Sequence, residues 1–303
     1  MENNMTIDRT KFIGGSDIAG ILNISDYTSP LYVWNQKVNG YKAVETEAVY
    51  FGKRLESFVK NEFSKKNKDL KVLQADFLTD EIREYLTGSP DGYVVDANGE
   101  VSILELKTTN EYHKKVWDNG VPDHYYAQVQ WYMGLANLKK AYVACLAGGN
   151  KYYQYEVPFS QEFYDDAVAK AVRFWERYVI VGEMPAATEK SCDKKILGIE
   201  IENQDKDDVF RTTYVDEHIS KLNELKKQEK ELKKKISLLN NKVLEEMNGH
   251  KNCESHVFKI EYKTHSRKSV DSKKLQEDYP EIYMKVMKKS NFPQLSIKEK
   301  KNG

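Results

Sequence analysis

The sequence predicts an α/β fold, a mixed β-sheet flanked by helices, followed by a long charged helix and a small β element. Three observations predict it. Amphipathic helical stretches alternate with short β-rich runs through residues 1–212. An Asn98-Gly99 pair separates two of those runs, as in a tight hairpin. From about Tyr214 the pattern changes to apolar residues at 3-4 spacing among lysines and glutamates. The chain therefore divides into a body, residues 1–212, and an appendage, residues 213–303. A length of 303 residues, with 40% hydrophobic and 31% charged, suits one large globular domain plus such an appendage.

The elements follow in order. Gly14-Gly15-Ser16-Asp17 ahead of Ile18, Ile21 and Leu22 reads as a loop feeding a helix. Pro30 opens a second helix that uses Leu31, Val33 and Trp34 and stops near Gly40. Val49, Leu55, Phe58, Val59 and Phe63 give an amphipathic helix from Glu45 to about Lys66, with Glu56 near its middle. Strands are expected at Lys71–Leu78, Gly92–Val95 and Val101–Lys107, then a helix from about His124 to Leu138. Two more strands, Ala141–Leu146 and Tyr152–Val157, meet at Gly148-Gly149, and a helix from Gln161 to about Val181 covers the sheet. In the appendage, Leu222, Leu225, Leu232, Ile236, Leu239 and Val243 mark a long helix of coiled-coil or helical-hairpin type, with one polar break near Glu229. A strand at His256–Tyr262 and a basic polar end complete the chain.

Composition excludes several function classes. No apolar run reaches the ~18 residues of a membrane span, and the N-terminus lacks the positive start and apolar core of a signal peptide, so a cytoplasmic protein is expected. Cys145, Cys192 and Cys253 are too far apart for a disulfide framework or an iron-sulfur cluster, and the six histidines show no paired-ligand spacing. The 47 basic and 47 acidic residues cancel, but residues 251–303 hold 13 Lys and Arg against 7 Asp and Glu, a surplus of +6. A basic end on an acidic body points mildly to a polyanionic partner.

The strongest chemical signal runs from Gly88 to Lys107. Glu105 and Lys107 stand two apart on a strand and so share a face, while Leu104 and Leu106 fill the other. If the hairpin registers around Asn98-Gly99, Asp91 comes beside them. Two carboxylates offer hard oxygen ligands to Mg²⁺, or to Mn²⁺ in its place, and an ammonium can hold or polarise a water, an arrangement suited to phosphodiester hydrolysis. On an ordinary edge strand such charges would only face solvent. Here they sit among Ile103, Leu104 and Leu106, where an idle charge is costly.

Gly88-Ser89-Pro90-Asp91, Glu105-Leu106-Lys107 and Gln128-Val-Gln-Trp-Tyr132 together resemble the PD-(D/E)xK nuclease superfamily in its RecB-like form, with its QxxxY helix. Gly14-Gly15-Ser16-Asp17 with Ser29-Pro30-Leu31 and Trp34 is more specifically similar to YqaJ-type viral recombinases, relatives of the bacteriophage lambda exonuclease. The resemblance covers about residues 9–157. It implies a restriction-endonuclease-like core in which Asp91, Glu105, the Leu106 carbonyl and Glu56 hold one or two metals and Lys107 is the catalytic lysine. Gln128 and Tyr132, four apart and so on one helix face, would reach the scissile phosphate or the lysine. Arg9, Ser16 and Ser89 would bind a terminal 5′-phosphate.

The resemblance further implies a Mg²⁺-dependent 5′ to 3′ exonuclease acting on double-stranded DNA ends and leaving 3′ single strands for phage-type recombination. A homo-oligomeric ring, a trimer by preference, and a phage single-strand annealing protein as partner come from the same source, with no membrane role. Two alternatives stand beside it: another RecB-like nuclease of different polarity or endonucleolytic action, and a DNA-end-binding protein without turnover.

Overall fold

The computed structural model describes residues 8–42, 45–204, 209–288 and 295–297. The chain falls into two units that divide after Asp205. In the first, a 3₁₀ turn at Arg9–Lys11 leads into α1 (Gly15–Ile21), α2 (Pro30–Val38) and α3 (Glu47–Lys66). The strands are β1 (Lys71–Leu73), β2 (Leu78–Thr79), β3 (Thr87–Gly88), β4 (Gly92–Val95) and β5 (Val101–Thr109). After a short α4 (Lys114–Trp117), α5 (Asp123–Leu135) crosses to β6 (Lys140–Ala147) and β7 (Lys151–Pro158), followed by α6 (Gln161–Phe174) and α7 (Ser191–Gln204).

Five strands form the central sheet in the order β1-β4-β5-β6-β7, with β5 at its centre. Only the β5–β6 pair is parallel, because α5 carries the chain back across the sheet; the other pairs are antiparallel. The sheet is thus mixed, as expected. Alternation along β5 decides what each face does. Leu104 and Leu106 pack with Val59 and Phe63 of α3, and with Tyr142 and Ala144 of β6. Ile103 points the other way, into the larger core of Ile18, Leu31, Val129, Trp131, Met133 and Val143. Glu105 and Lys107 share the Ile103 face, beneath α5.

Elements of the first unit depart from expectation. The strand expected over Lys71–Leu78 is two: Lys71–Leu73 pairs with β4, and Leu78–Thr79 leaves the main sheet to pair with β3. The helix expected to run to Val181 loses α-helical winding after Phe174 and continues as a π-helical turn, Trp175–Ile180. There Trp175 stacks on Tyr85 with ring centroids 4.9 Å apart, a contact that the extra residue per turn accommodates. Helix α7 was not anticipated.

The second unit holds α8 (Asp216–Glu246), a hairpin of β8 (Asn252–Glu254) with β9 (Lys259–Glu261), and two short helices, α9 (Ser272–Asp278) and α10 (Pro280–Val286). The strand expected at His256–Tyr262 is this β9, shorter at both ends, and two short helices lie in the expected basic polar end. Among the described residues no helix is long and apolar enough to cross a membrane.

Candidate active site

Register brings the motif residues together. Gly92 pairs with Leu104 across the hairpin, so Asp91, one residue before β4 begins, lies opposite Glu105. Beyond that point β5 has no β4 partner, and the Asp91 carboxylate accepts the Leu106 N–H instead, at 2.7 Å. A strand residue directs its N–H and carbonyl to the same edge, so the Leu106 carbonyl faces this side too.

Glu105 is 1% exposed. Its Oε1 accepts hydrogen bonds from Lys107 Nζ at 2.6 Å and from Gln128 Nε2 at 2.9 Å. Its Oε2 is buried with no hydrogen-bond partner among the described residues. A buried carboxylate oxygen left in this state costs roughly 1–3 kcal/mol, a cost expected where the oxygen serves a ligand. Burial pushes the Glu105 carboxyl up to about 7, against the pull of Lys107. Burial also raises Asp91, opposed by the charge of Lys107 and by the Leu106 amide. For Lys107 burial favours the neutral amine, but the carboxylates of Glu105 and Asp91 outweigh it and its pKa is raised. Held this way, the lysine ammonium is suited to steadying negative charge.

Glu56 lies on the exposed side of α3. Partial desolvation of its carboxyl and repulsion from Asp91 both raise its pKa, so it senses the site electrostatically. Yet among the described residues no three His, Cys, Asp or Glu side chains converge as a ready-made metal cage. The two carboxylates that the fold does bring together are Asp91 and Glu105.

Gln128 ties the carboxylates to a second feature. Its amide also donates to the Tyr132 hydroxyl at 2.9 Å, and burial raises the pKa of that phenol. Tyr132 is held between two glycines. A Cβ on Gly15 would stand 2.3 Å from its ring, and one on Gly88 2.9 Å. Gly15 and Gly88, one from each motif, thus have one shared reason, room for this ring.

Beside Tyr132 lies a cavity of about 380 Å³ lined by Arg9, Ser16, Ser89, Gln128 and Tyr132, among others. Arg9 donates to Ser16 Oγ at 2.6 Å, and Arg9, Ser16 and Ser89 are all solvent-exposed. Ser16 is not the helix cap; the Asp17 carboxylate serves there, accepting the Gly14 N–H at 2.9 Å.

Sequence reasoning missed the support beneath this loop. Lys37 of α2 pairs with Asp17 at 2.7 Å, with side-chain exposures of 1% and 5%. Lys37 also donates to the Arg9 carbonyl at 3.0 Å, so one buried ammonium anchors both Arg9 and the glycine loop. Its signal was a lone lysine on the apolar helix that starts at Pro30. Tyr125 of α5 lies over Lys107, with Nζ 4.7 Å from its ring centre. His124 beside it has its pKa lowered by burial first and by Lys107 second.

The model of the YqaJ-like viral recombinase domain matches residues 6–139. Protein YqaJ of Bacillus subtilis strain 168 is 32% identical over 302 residues, which cover 97% of this chain and 93% of that protein. Among solved structures, an alkaline exonuclease from Laribacter hongkongensis is 14% identical, covering 65% of this chain and 95% of its own, with a TM-score of 0.46. A phage related exonuclease from Haemophilus somnus 129PT is also 14% identical, over 62% of this chain and 96% of its own, with a TM-score of 0.43.

Proposed function

The chain belongs to the YqaJ-like viral recombinase family, and from that membership and the site chemistry we propose that it is a Mg²⁺-dependent deoxyribonuclease, a 5′ to 3′ exonuclease that degrades one strand of a linear duplex. The observation that carries this reading is continuity. Gln128 and Tyr132 line the same cavity as Arg9, Ser16 and Ser89 while Gln128 also binds Glu105. A phosphate seated by Arg9 and the two hydroxyls therefore lies next to the carboxylates and the lysine.

The donor set suits a hard divalent cation. Asp91, the Glu105 Oε2 that has no partner among the described residues and the Leu106 carbonyl offer three oxygens around residues 105–106 of β5, and Glu56 contributes further negative charge. When bound, the cation neutralises phosphate charge and lowers the pKa of a coordinated water. The chain's own residues do the rest. Lys107, kept protonated by its carboxylate neighbours, stabilises the charge that builds on the phosphorane oxygens. Gln128 fixes the Glu105 rotamer and, through Tyr132, links it to the phosphate cavity. Arg9 offers a guanidinium fork to a terminal phosphate dianion, which sets the distance from the strand end to the bond that is cut.

The family reading extends to a nuclease domain spanning residues 1–212, a ring-shaped homo-oligomer, most simply a trimer, that threads DNA, a phage single-strand annealing protein as partner, and work in the host cytoplasm. Arg9→Ala tests the phosphate pocket. Cutting from 5′-phosphorylated ends should slow by at least ~10-fold, with little change on 5′-hydroxyl ends, since one charge-assisted contact contributes about 1.5–3 kcal/mol. Equal loss on both ends would mean that Arg9 only supports the fold.

A further inference from the structure

Helix α8 carries an apolar stripe that, among the described residues, is exposed from Leu225 to Val243 and half-buried at Leu222. Leu225, Leu232, Ile236, Leu239 and Val243 are between 44% and 61% exposed. With Leu222 at heptad position a, Leu225, Leu232 and Leu239 fall at d, and Ile236 and Val243 at a. Leu238 and Leu244, also exposed, fall at c and b, outside this seam. A helix of thirty-one residues whose apolar face is exposed among the described residues has the dimensions of one half of a coiled coil.

The flanks say which half is missing. Between residues 221 and 242, five of the seven e and g positions are lysine (Lys221, Lys226, Lys233, Lys235 and Lys242) and none is acidic. Lys221 and Lys233 already pair within the helix, with Glu224 at 2.7 Å and Glu229 at 2.6 Å. Lys226, Lys235 and Lys242 have no ion pair among the described residues. A second copy of α8 fits badly. In a parallel pair Lys221 of one helix meets Lys226 of the other, and in an antiparallel pair lysine again faces lysine. Glu229, at an a position, would meet its own copy in the parallel seam. Like charges so placed oppose association.

We propose that α8 is the docking face for an amphipathic helix of a partner protein whose apolar seam is flanked by Asp and Glu, with a Lys or Arg opposite Glu229. The lysines select the partner by sign, and Glu229 sets its register.

The test uses the full chain and a synthetic peptide of four heptads, with Leu and Ile at a and d, Glu at e and g, and one Lys placed to face Glu229. Fluorescence anisotropy should show this peptide binding at low salt and weakening as salt rises, whereas the same peptide with Lys at e and g should not bind. Leu232→Gln with Ile236→Gln should abolish binding while circular dichroism retains the helix, because both positions are exposed and glutamine is a good helix former. Reversing Lys226, Lys235 and Lys242 to Glu should weaken the acidic peptide at least ~10-fold and admit the lysine peptide. Sedimentation of the full chain supplies the control on self-pairing. No binding of the acidic peptide, equal binding of both peptides, a mass that falls on the Leu232/Ile236 substitution without peptide, or displacement of the peptide by a short DNA duplex would each overturn the proposal.

Discussion

Gly15→Ala is the most informative small change in this molecule. The added Cβ would stand 2.3 Å from Tyr132 Cε1, 2.6 Å from Cζ and 2.9 Å from the hydroxyl. Carbon atoms rest at about 3.5–4.0 Å, so the ring must retreat by roughly 1 Å or more. It has little room to do so. Tyr132 is 4% exposed and also lies against Gly88, where a Cβ would be 2.9 Å from its ring. Overpacking of this kind costs about 1–3 kcal/mol. Alanine regains at most ~1 kcal/mol over glycine in helix propensity, and less at the first helical residue. The clash therefore wins, and a net loss of about 1–2 kcal/mol is expected. Function should suffer more than stability, since moving the ring breaks the Tyr132–Gln128 bond and releases Gln128 from its place on Glu105.

The assay is urea unfolding and DNA digestion on Gly15→Ala, Tyr132→Leu and the double variant. The account expects strong non-additivity: with the ring gone, the alanine should cost little, so the coupling should reach about 1 kcal/mol. A stable, fully active Gly15→Ala protein, or strict additivity, would refute the reasoning.

Two further predictions concern the supports of the site. Lys37→Met leaves Asp17 as an uncompensated buried charge and should cost about 3–5 kcal/mol in denaturant unfolding; replacing Asp17 by Leu at the same time should recover much of that loss. Asp193 of α7, buried at 1% exposure, accepts hydrogen bonds from Ser29 and from the Thr188 amide and hydroxyl, and these outweigh burial to hold its carboxyl below the usual range. A lowered folded-state pKa gives stability that is complete above the unfolded value near ~3.9 and disappears as pH falls through the folded value. The unfolding free energies of wild type and Asp193→Asn should therefore differ at pH 7, and the difference should shrink as pH falls below about 4; a gap that does not narrow on acidification would contradict the assignment.

What could be read from the sequence, and what could not, follows from the range of the interactions. The β4–β5 hairpin and the shared face of Glu105 and Lys107 rest on Asn98-Gly99 and on strict alternation, both local. Their convergence with Asp91 followed from register alone. The α3 helix was visible in its apolar spacing from Val49 to Phe63. By contrast, Ile199-Glu200-Ile201-Glu202 in α7 alternates like a strand and gives no helical signal; that helix is held by Ile196, buried at 2%, and by Asp193 reaching Ser29 across 164 residues. The Lys37–Asp17 pair spans 20 residues and joins two helices, so no local pattern announces it. The turn at Trp175 stacks on Tyr85, ninety positions earlier. Gly15 and Gly88 looked like loop residues, and only the ring between them shows why neither can carry a side chain.

The central claim is that Asp91, Glu105 and Lys107 form a hydrolytic site entered by a phosphorylated DNA end. The direct measurement is digestion of a linear duplex with a 5′-phosphate on one strand and a 5′-hydroxyl on the other, in Mg²⁺ or in Ca²⁺, by the intact protein and by Lys107→Ala. The account predicts mononucleotides from the phosphorylated strand, in Mg²⁺ only and from the intact protein only, with DNA binding retained by Lys107→Ala. Undiminished cutting by that variant, or cleavage of closed circles, would contradict it.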